Sequence, residues 1–387
     1  MTQLSRFLEP PRLRTAAAER YEERHATWLE LFLDLVFVVA IAQLGTAFFE
    51  DVSFGGFLRY LGFFVPIWWA WAGFTFYATR FDTDDVVYRV LTLVGMFGVA
   101  ALASVTHDAY LHGRPNAFAV AYAAIRAVIV LLYARAWRHV PQARALASWF
   151  LLMFSVAIVL WLASLAVPSP WKFVIWGVAL SLELGAPPRA WRLIRHAPIH
   201  PAHIPERFGL LTIIVLGEAV IAVVLGTENV SWTALAGTTA FAGFLLAVSI
   251  WWVYFEFLDA SVVRRSLFSG MTFVYAHYLI AAGIAALGVG VRIAILSAHE
   301  PRFDHAGWVV CAGTGMCMLG LAIIQLVTPP TMLDTDVWLR LGTAGLAAVL
   351  GALTDQVAAV LVLWLLVAAL LLQVVVELVH HEGHSPG

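Results

Sequence analysis

The stretch ERHATWLELFLDLVFVVAIAQLG, residues 23–45, opens polar and turns almost wholly apolar from Trp28 onward. An apolar run near twenty residues is the length that crosses a hydrocarbon core of about 30 Å as a helix. Two carboxylates interrupt this one, Glu30 and Asp34, spaced i, i+4 and so on one face. An ionised side chain at the bilayer centre costs about 2.5–3.5 kcal/mol even on a lenient insertion scale. Such acids face the bundle interior, pair with a cation, or line water. The run therefore predicts a membrane span whose acidic face is turned inward, against other helices.

Composition extends that reading to the whole chain. Of 387 residues, 61% are hydrophobic and only 12% charged, and the mean hydropathy is +0.85. Soluble domains average about 45–50% apolar and about 25% charged. Apolar runs recur near 28–49, 54–77, 90–111, 116–138, 145–166, 171–187, 205–225, 233–258, 268–297, 306–327, 337–354 and 356–379. An all-α polytopic membrane protein of about twelve transmembrane helices is expected. The sixth and eleventh spans are the weakest: Pro187 and Pro188 end or break the sixth early, and only Thr354–Gln356 separate the last two. The connections leave no room for a soluble domain. The chain divides into a cytoplasmic segment 1–27, a first six-helix half 28–195, a second 196–380 and a cytoplasmic tail 381–387. The first 27 residues lack the apolar core and small-residue cleavage site of a cleavable signal peptide, so none is expected.

Lys and Arg set the orientation. With the N-terminus inside, seventeen arginines fall on the cytoplasmic side, and Arg59, Arg114, Lys172, Arg292 and Arg302 fall outside. This predicts N-in and C-in. A parallel repeat of six plus six helices is also legible. Glu23–Arg24 and Glu206–Arg207 share an offset of 183 residues with Trp68–Trp69 and Trp251–Trp252.

Polar residues inside spans carry the functional reading. Glu30 stands in the first turn, where a helix N-terminus, Arg24 or Arg80 would hold it structurally. Asp34 lies one turn deeper and needs a proton, a cation or an arginine. Arg126, in mid-span between AYAAI and AVIVLLY, requires a carboxylate; Asp34, Glu183 and Glu218 are the candidates. Glu218 follows Gly217 and is the deepest acid of the second half. Glu256 and Asp259 close the eighth span. His277 lies mid-span in VYAHYLIAAG, as a hydrogen-bonded core histidine or a proton relay. Asp82, Asp84 and Asp85 in RFDTDD read as a solvated acidic loop between Arg80 and Arg89.

Several readings are set aside. Net charge is −2, which does not suggest nucleic acid as a partner; lipid, and a small solute or ion, fit better. Cys311 and Cys317 read as small core residues. His196, His200 and His203 lie among prolines that preclude one helical face, and the histidines of the tail (His380, His381, His384) are a weaker signal still, so no metal site is expected. The WWAW and IWW clusters read as helix packing. The sole lysine, Lys172, sits at a span boundary, away from any mid-membrane Schiff base. No phosphate loop, G-x-S-x-G or H-E-x-x-H occurs, so neither a cofactor nor an enzyme activity is expected.

Five segments in order, LELFLDLVFVVAIAQLG, WWAWAGFTFYATRFDTDD, ERFGLLTIIVLGEAV, IWWVYFEF and YAHYLIAAGIAALGVG, resemble the bacterial low temperature requirement protein A family. Leu33 stands where that family usually has a second Phe. The resemblance implies a polytopic inner-membrane protein linked to growth in the cold, with no catalytic residue to carry over. Glu30, Asp34, Arg207, Glu218 and His277 fall on its recurrent motif positions. The expected function is a secondary transporter or permease with a proton- or cation-linked pathway, Asp34 and Glu218 as coupling acids and Arg126 as their counter-ion. The alternatives are an ion channel with an acidic mouth at Glu30 and Asp34, or a non-transporting sensor or scaffold.

Overall fold

The structure, a computed structural model, describes residues 10–13, 26–82, 84–197, 203–228, 230–297, 307–328 and 335–382, with the backbone alone at 82 and 380–382. Glu23–Arg24 of the repeat, His200 of the proline-rich loop, Arg302 and the tail residue His384 lie outside the described residues, as do the side chains of His380 and His381.

Each expected span corresponds to one long helix. In chain order these are α1 (Trp28–Glu50), α2 (Phe54–Arg80), α3 (Val86–Leu111), α4 (Asn116–His139), α5 (Arg144–Ala163) and α6 (Trp171–Arg189). They continue as α7 (His203–Thr227), α8 (Ala234–Phe257), α9 (Leu267–Ser297), α10 (Trp308–Leu326), α11 (Thr335–Ala352) and α12 (Ala359–Glu382). The β-structure among the described residues is a two-residue antiparallel ladder that pairs Arg12 with Asp82 and Leu13 with Phe81. Ten of the twelve helices are long and apolar enough to cross a membrane. The other two are α6 and α11, the spans that the sequence marked as weakest. They carry Lys172, Glu183 and Arg189, and Asp336 and Arg340, in only 19 and 18 residues. The helix of α6 runs through Pro187 and Pro188 to Arg189 rather than stopping before them. Prolines in a last turn disturb only that end of the helix.

The chain forms two compact units, residues 1–47 with 59–207, and residues 48–58 with 208–387. In the first unit α3 packs on α4, α4 on α5 and α5 on α6, as short connections between antiparallel helices require. Its core is aromatic: Trp69, Trp71, Trp161, Tyr60, Tyr77 and Tyr122 are all fully buried. In the second unit the 31-residue α9 is buried along most of its length and packs on α10, α8 and α12. Glycines bring α9 and α10 together. A Cβ at Gly290 would lie 2.4 Å from the Val310 backbone nitrogen, and one at Gly313 2.5 Å from that of Leu287. Small residues at such crossings let backbones approach where lipid offers no hydrophobic drive.

Large apolar side chains point outward, among them Phe97 at 77% exposure and Val159 at 64%. That is the surface a hydrocarbon solvent selects. The two tryptophan pairs of the repeat differ in setting: Trp68 and Trp69 are buried, whereas Trp251 and Trp252 are exposed.

Candidate functional site

The two acids of the opening stretch have separate tasks. Thr27 precedes α1 and Glu30 lies three residues on, the spacing of a capping box. The Thr27 amide donates to Glu30 Oε2 at 3.0 Å, and the Glu30 amide donates to Thr27 Oγ1 at 3.3 Å. Glu30 is buried, but its carboxylate is used in starting the helix.

Asp34, fully buried one turn deeper, receives a cation. Its Oδ1 accepts from Arg207 Nη2 at 2.6 Å and from Trp71 Nε1 at 2.7 Å. The same Arg207 nitrogen reaches the Glu30 carbonyl at 3.4 Å. Arg207 is itself fully buried. The site is polar beyond what these bonds use: Asp34 Oδ2 and Arg207 Nε and Nη1 are buried without a hydrogen bond to protein. The sequence reading counted Arg207 among the arginines of the cytoplasmic side and as a recurrent motif position, without a partner. The fold instead makes it the counter-ion of Asp34, the role expected of Arg126.

Arg126 takes Glu183, one of its three candidates. Its Nε lies 3.0 Å from Glu183 Oε2, and both side chains are fully buried. Tyr122, one turn before Arg126 on α4, donates to the same Glu183 oxygen at 2.7 Å. The guanidinium stands 4.2 Å above the Phe154 ring, a cation–π contact that partly replaces lost hydration. None of its three nitrogens is aligned for a hydrogen bond, and Glu183 Oε1 also lacks one.

Helix α2 serves both pairs. Trp71 donates to Asp34, while Gly73 gives way to Arg126: a Cβ there would lie 2.7 Å from Arg126 Nη1. Two residues along a helix advance about 3 Å and turn about 200°. The Asp34 and Arg126 pairs therefore flank opposite sides of α2 at nearly one level. Thr75 Oγ1, one turn from Trp71, and the Tyr77 hydroxyl, one turn from Gly73, are buried with no hydrogen bond of their own.

The RFDTDD loop divides its acids. Asp85 caps α3 through the Val87 and Tyr88 amides and holds Arg135 at 2.7 and 2.8 Å. Asp84 pairs with Arg89 at the surface, 2.9 Å away. Arg80 is buried and donates to the Tyr133 hydroxyl and the Ala197 carbonyl. Part of this loop is thus internal scaffolding rather than solvated surface.

In the second unit His277 is enclosed. Its Nδ1 lies 2.6 Å from the Phe273 carbonyl, which can only accept, so Nδ1 carries the proton and Nε2 accepts from the Tyr254 hydroxyl at 2.8 Å. Glu218 is half-buried and makes no hydrogen bond or ion pair among the described residues. Glu256 is exposed at the end of α8, and Asp259 pairs with Arg265 at 2.9 Å. A buried network escaped the sequence reading. Arg340 lies 3.6 Å from Glu377 and donates to Gln325 Oε1, while Gln373 joins Glu377 to Thr343. The signal for it was Gln373 and Glu377 at i, i+4 in an apolar span.

A profile of the bacterial low temperature requirement A protein (LtrA) family matches residues 25–376, nearly the whole chain. The chain belongs to the LtrA family. The matched range takes in α1 to α11 and most of α12, with both buried ion pairs of the first unit and Gln325, Arg340, Thr343 and Gln373 of the second unit's network; Glu377 lies one residue beyond it. Within curated proteins, this LtrA-family chain is 28% identical over 305 residues to an uncharacterised protein of Rhizobium meliloti (strain 1021), RA0937, covering 73% of this chain and 72% of that one. Family membership and the apolar helices make this a multi-pass membrane protein.

Proposed function

We propose that this LtrA-family chain is a secondary transporter of the bacterial cytoplasmic membrane, coupled to protons or a cation through Asp34. All twelve long helices cross in this reading, α6 and α11 within the shelter of their neighbours, with both termini inside. One observation carries the functional part: Asp34 and Arg207 form a membrane-buried ion pair that leaves polar atoms on both partners unused. Here the same guanidinium can hold either Asp34 or an acceptor group on a solute. A proton or cation on Asp34 weakens its hold on Arg207 and frees donors for that solute. Binding at the two groups is then linked, and linkage is reciprocal. Glu218, half-buried without a partner among the described residues, is the second coupling acid.

The test is flux in reconstituted proteoliposomes, screened with imposed proton or sodium gradients. Asp34→Asn and Glu218→Gln variants, verified as monodisperse, are expected to lose gradient-driven uptake. Transport unchanged in both would remove the coupling role. A non-transporting scaffold is the second reading, supported by the enclosure of Glu30 by Thr27 and of His277 by Tyr254 and Phe273. It requires that no gradient drive any flux and that an Arg126→Leu, Glu183→Leu double variant keep cold growth intact.

A further inference from the structure

The end of α3 gathers metal-ligating groups. His107 and Asp108 lie in its last turns, and His112 is its C-cap. One ligand atom from each lies within 4.8 Å of the others. His112 Nδ1 is 3.1 Å from Asp108 Oδ1, and the two imidazole rings stand 5.8 Å apart. Ligand atoms about 2.0–2.1 Å from a tetrahedral metal are themselves about 3.4 Å apart. Small rotamer adjustments bring all three onto one ion.

The backbone holds this arrangement in place. Gly113 follows at φ +63, a left-handed conformation that only glycine adopts readily. The chain reverses there, and the amides of His112 and Arg114 both return to the Asp108 carbonyl, at 3.1 and 3.3 Å. The ligand-bearing turn is therefore built before any ion arrives. Unpaired carbonyls at a helix C-terminus add partial negative charge, which favours a cation. Asp108 and His112 are more than half exposed, so water can complete the coordination.

We propose that His107, Asp108 and His112 form a binding site for a divalent transition metal of the zinc class. Two imidazoles and one carboxylate exclude calcium and magnesium as preferred ions, since these need oxygen ligands. Arg114 lies two residues beyond His112, and Arg59 sits 5.2 Å over the Tyr110 ring. Positive charge on either one weakens, and does not replace, the pull of the three ligands on a cation.

The test uses the full chain in detergent, purified through a tag without histidine, stripped by chelator and titrated calorimetrically with zinc chloride. His107→Ala with His112→Ala is expected to remove one saturable site, and Asp108→Asn to weaken it at least about tenfold. A His381→Ala, His384→Ala variant is expected to leave that site untouched. The proposal is overturned if wild type shows no saturable zinc binding. It is equally overturned if the His107, His112 double variant, with unchanged melting temperature, binds as wild type does.

Discussion

At the residue scale, the chain distinguishes acids that build the fold from acids that retain chemistry. Glu30 and Asp34 share a helix face, yet the first closes a capping box and the second meets a guanidinium. The difference is one turn of depth. A helix start supplies unpaired amides, while the next turn supplies none. Arg126 shows how costly a broken pair should be. Replacing it by leucine leaves Glu183 charged, buried and held only by Tyr122. Removing one partner of a buried pair costs about 3–5 kcal/mol, whereas replacing both by apolar groups is often neutral. Arg126→Leu is therefore expected to lower the detergent melting temperature sharply, and adding Glu183→Leu to recover most of the loss. A double variant no more stable than the single one would mean that the loss comes from the guanidinium's contact with Phe154 rather than from stranding Glu183. The sequence announced Arg126 by its isolation in an apolar span, and Glu183 was among its candidates. Arg207 was misjudged because a span-end arginine normally reaches water, and nothing local says that another helix covers it.

Helices meet according to what their surfaces permit, and α9 with α10 is the clearest case at the element scale. Gly290→Leu is expected to force these helices apart, because the new Cβ would overlap the Val310 backbone. Backbone atoms cannot rotate aside, so overpacking of about 1–3 kcal/mol or more follows. Gly342 on α11 has no atom within 4 Å of its Cβ position. Gly342→Ala should be neutral or stabilising by up to about 1 kcal/mol through helix propensity alone. Thermal unfolding of both variants checks the contrast; equal effects would sink the packing account. Positions of the helices were legible from hydropathy to within a few residues. The close approach of α9 to α10 was not, since glycines in apolar runs occur on lipid-facing surfaces as well, as Gly217 does.

At the scale of the whole molecule, the twelve crossings proposed above would put both termini on one side of the membrane. Cys311 and Cys317 are buried, so a cysteine-free background is made with alanine, which strands no hydroxyl in the apolar core. Single cysteines introduced at residue 10 and at residue 382 are then expected to react with an impermeant maleimide from the same, cytoplasmic side. Labelling from opposite sides would mean that α6 or α11 does not cross. These two helices decide the count because their charges make crossing dependent on their neighbours rather than on their own hydropathy.

The sequence by itself determined the solvent, the class and the family: a series of long helices, ten of them apolar enough to cross a membrane, and motifs that span nearly the whole chain. Hydropathy is a sum over neighbours along the chain, so it can be read without a fold. Only the tertiary structure decided the pairings. Asp34 and its arginine are 173 residues apart, and every buried carboxylate is, to the sequence, a candidate for every buried cation. Which helix faces meet fixes which charges meet, and that is a property of packing alone.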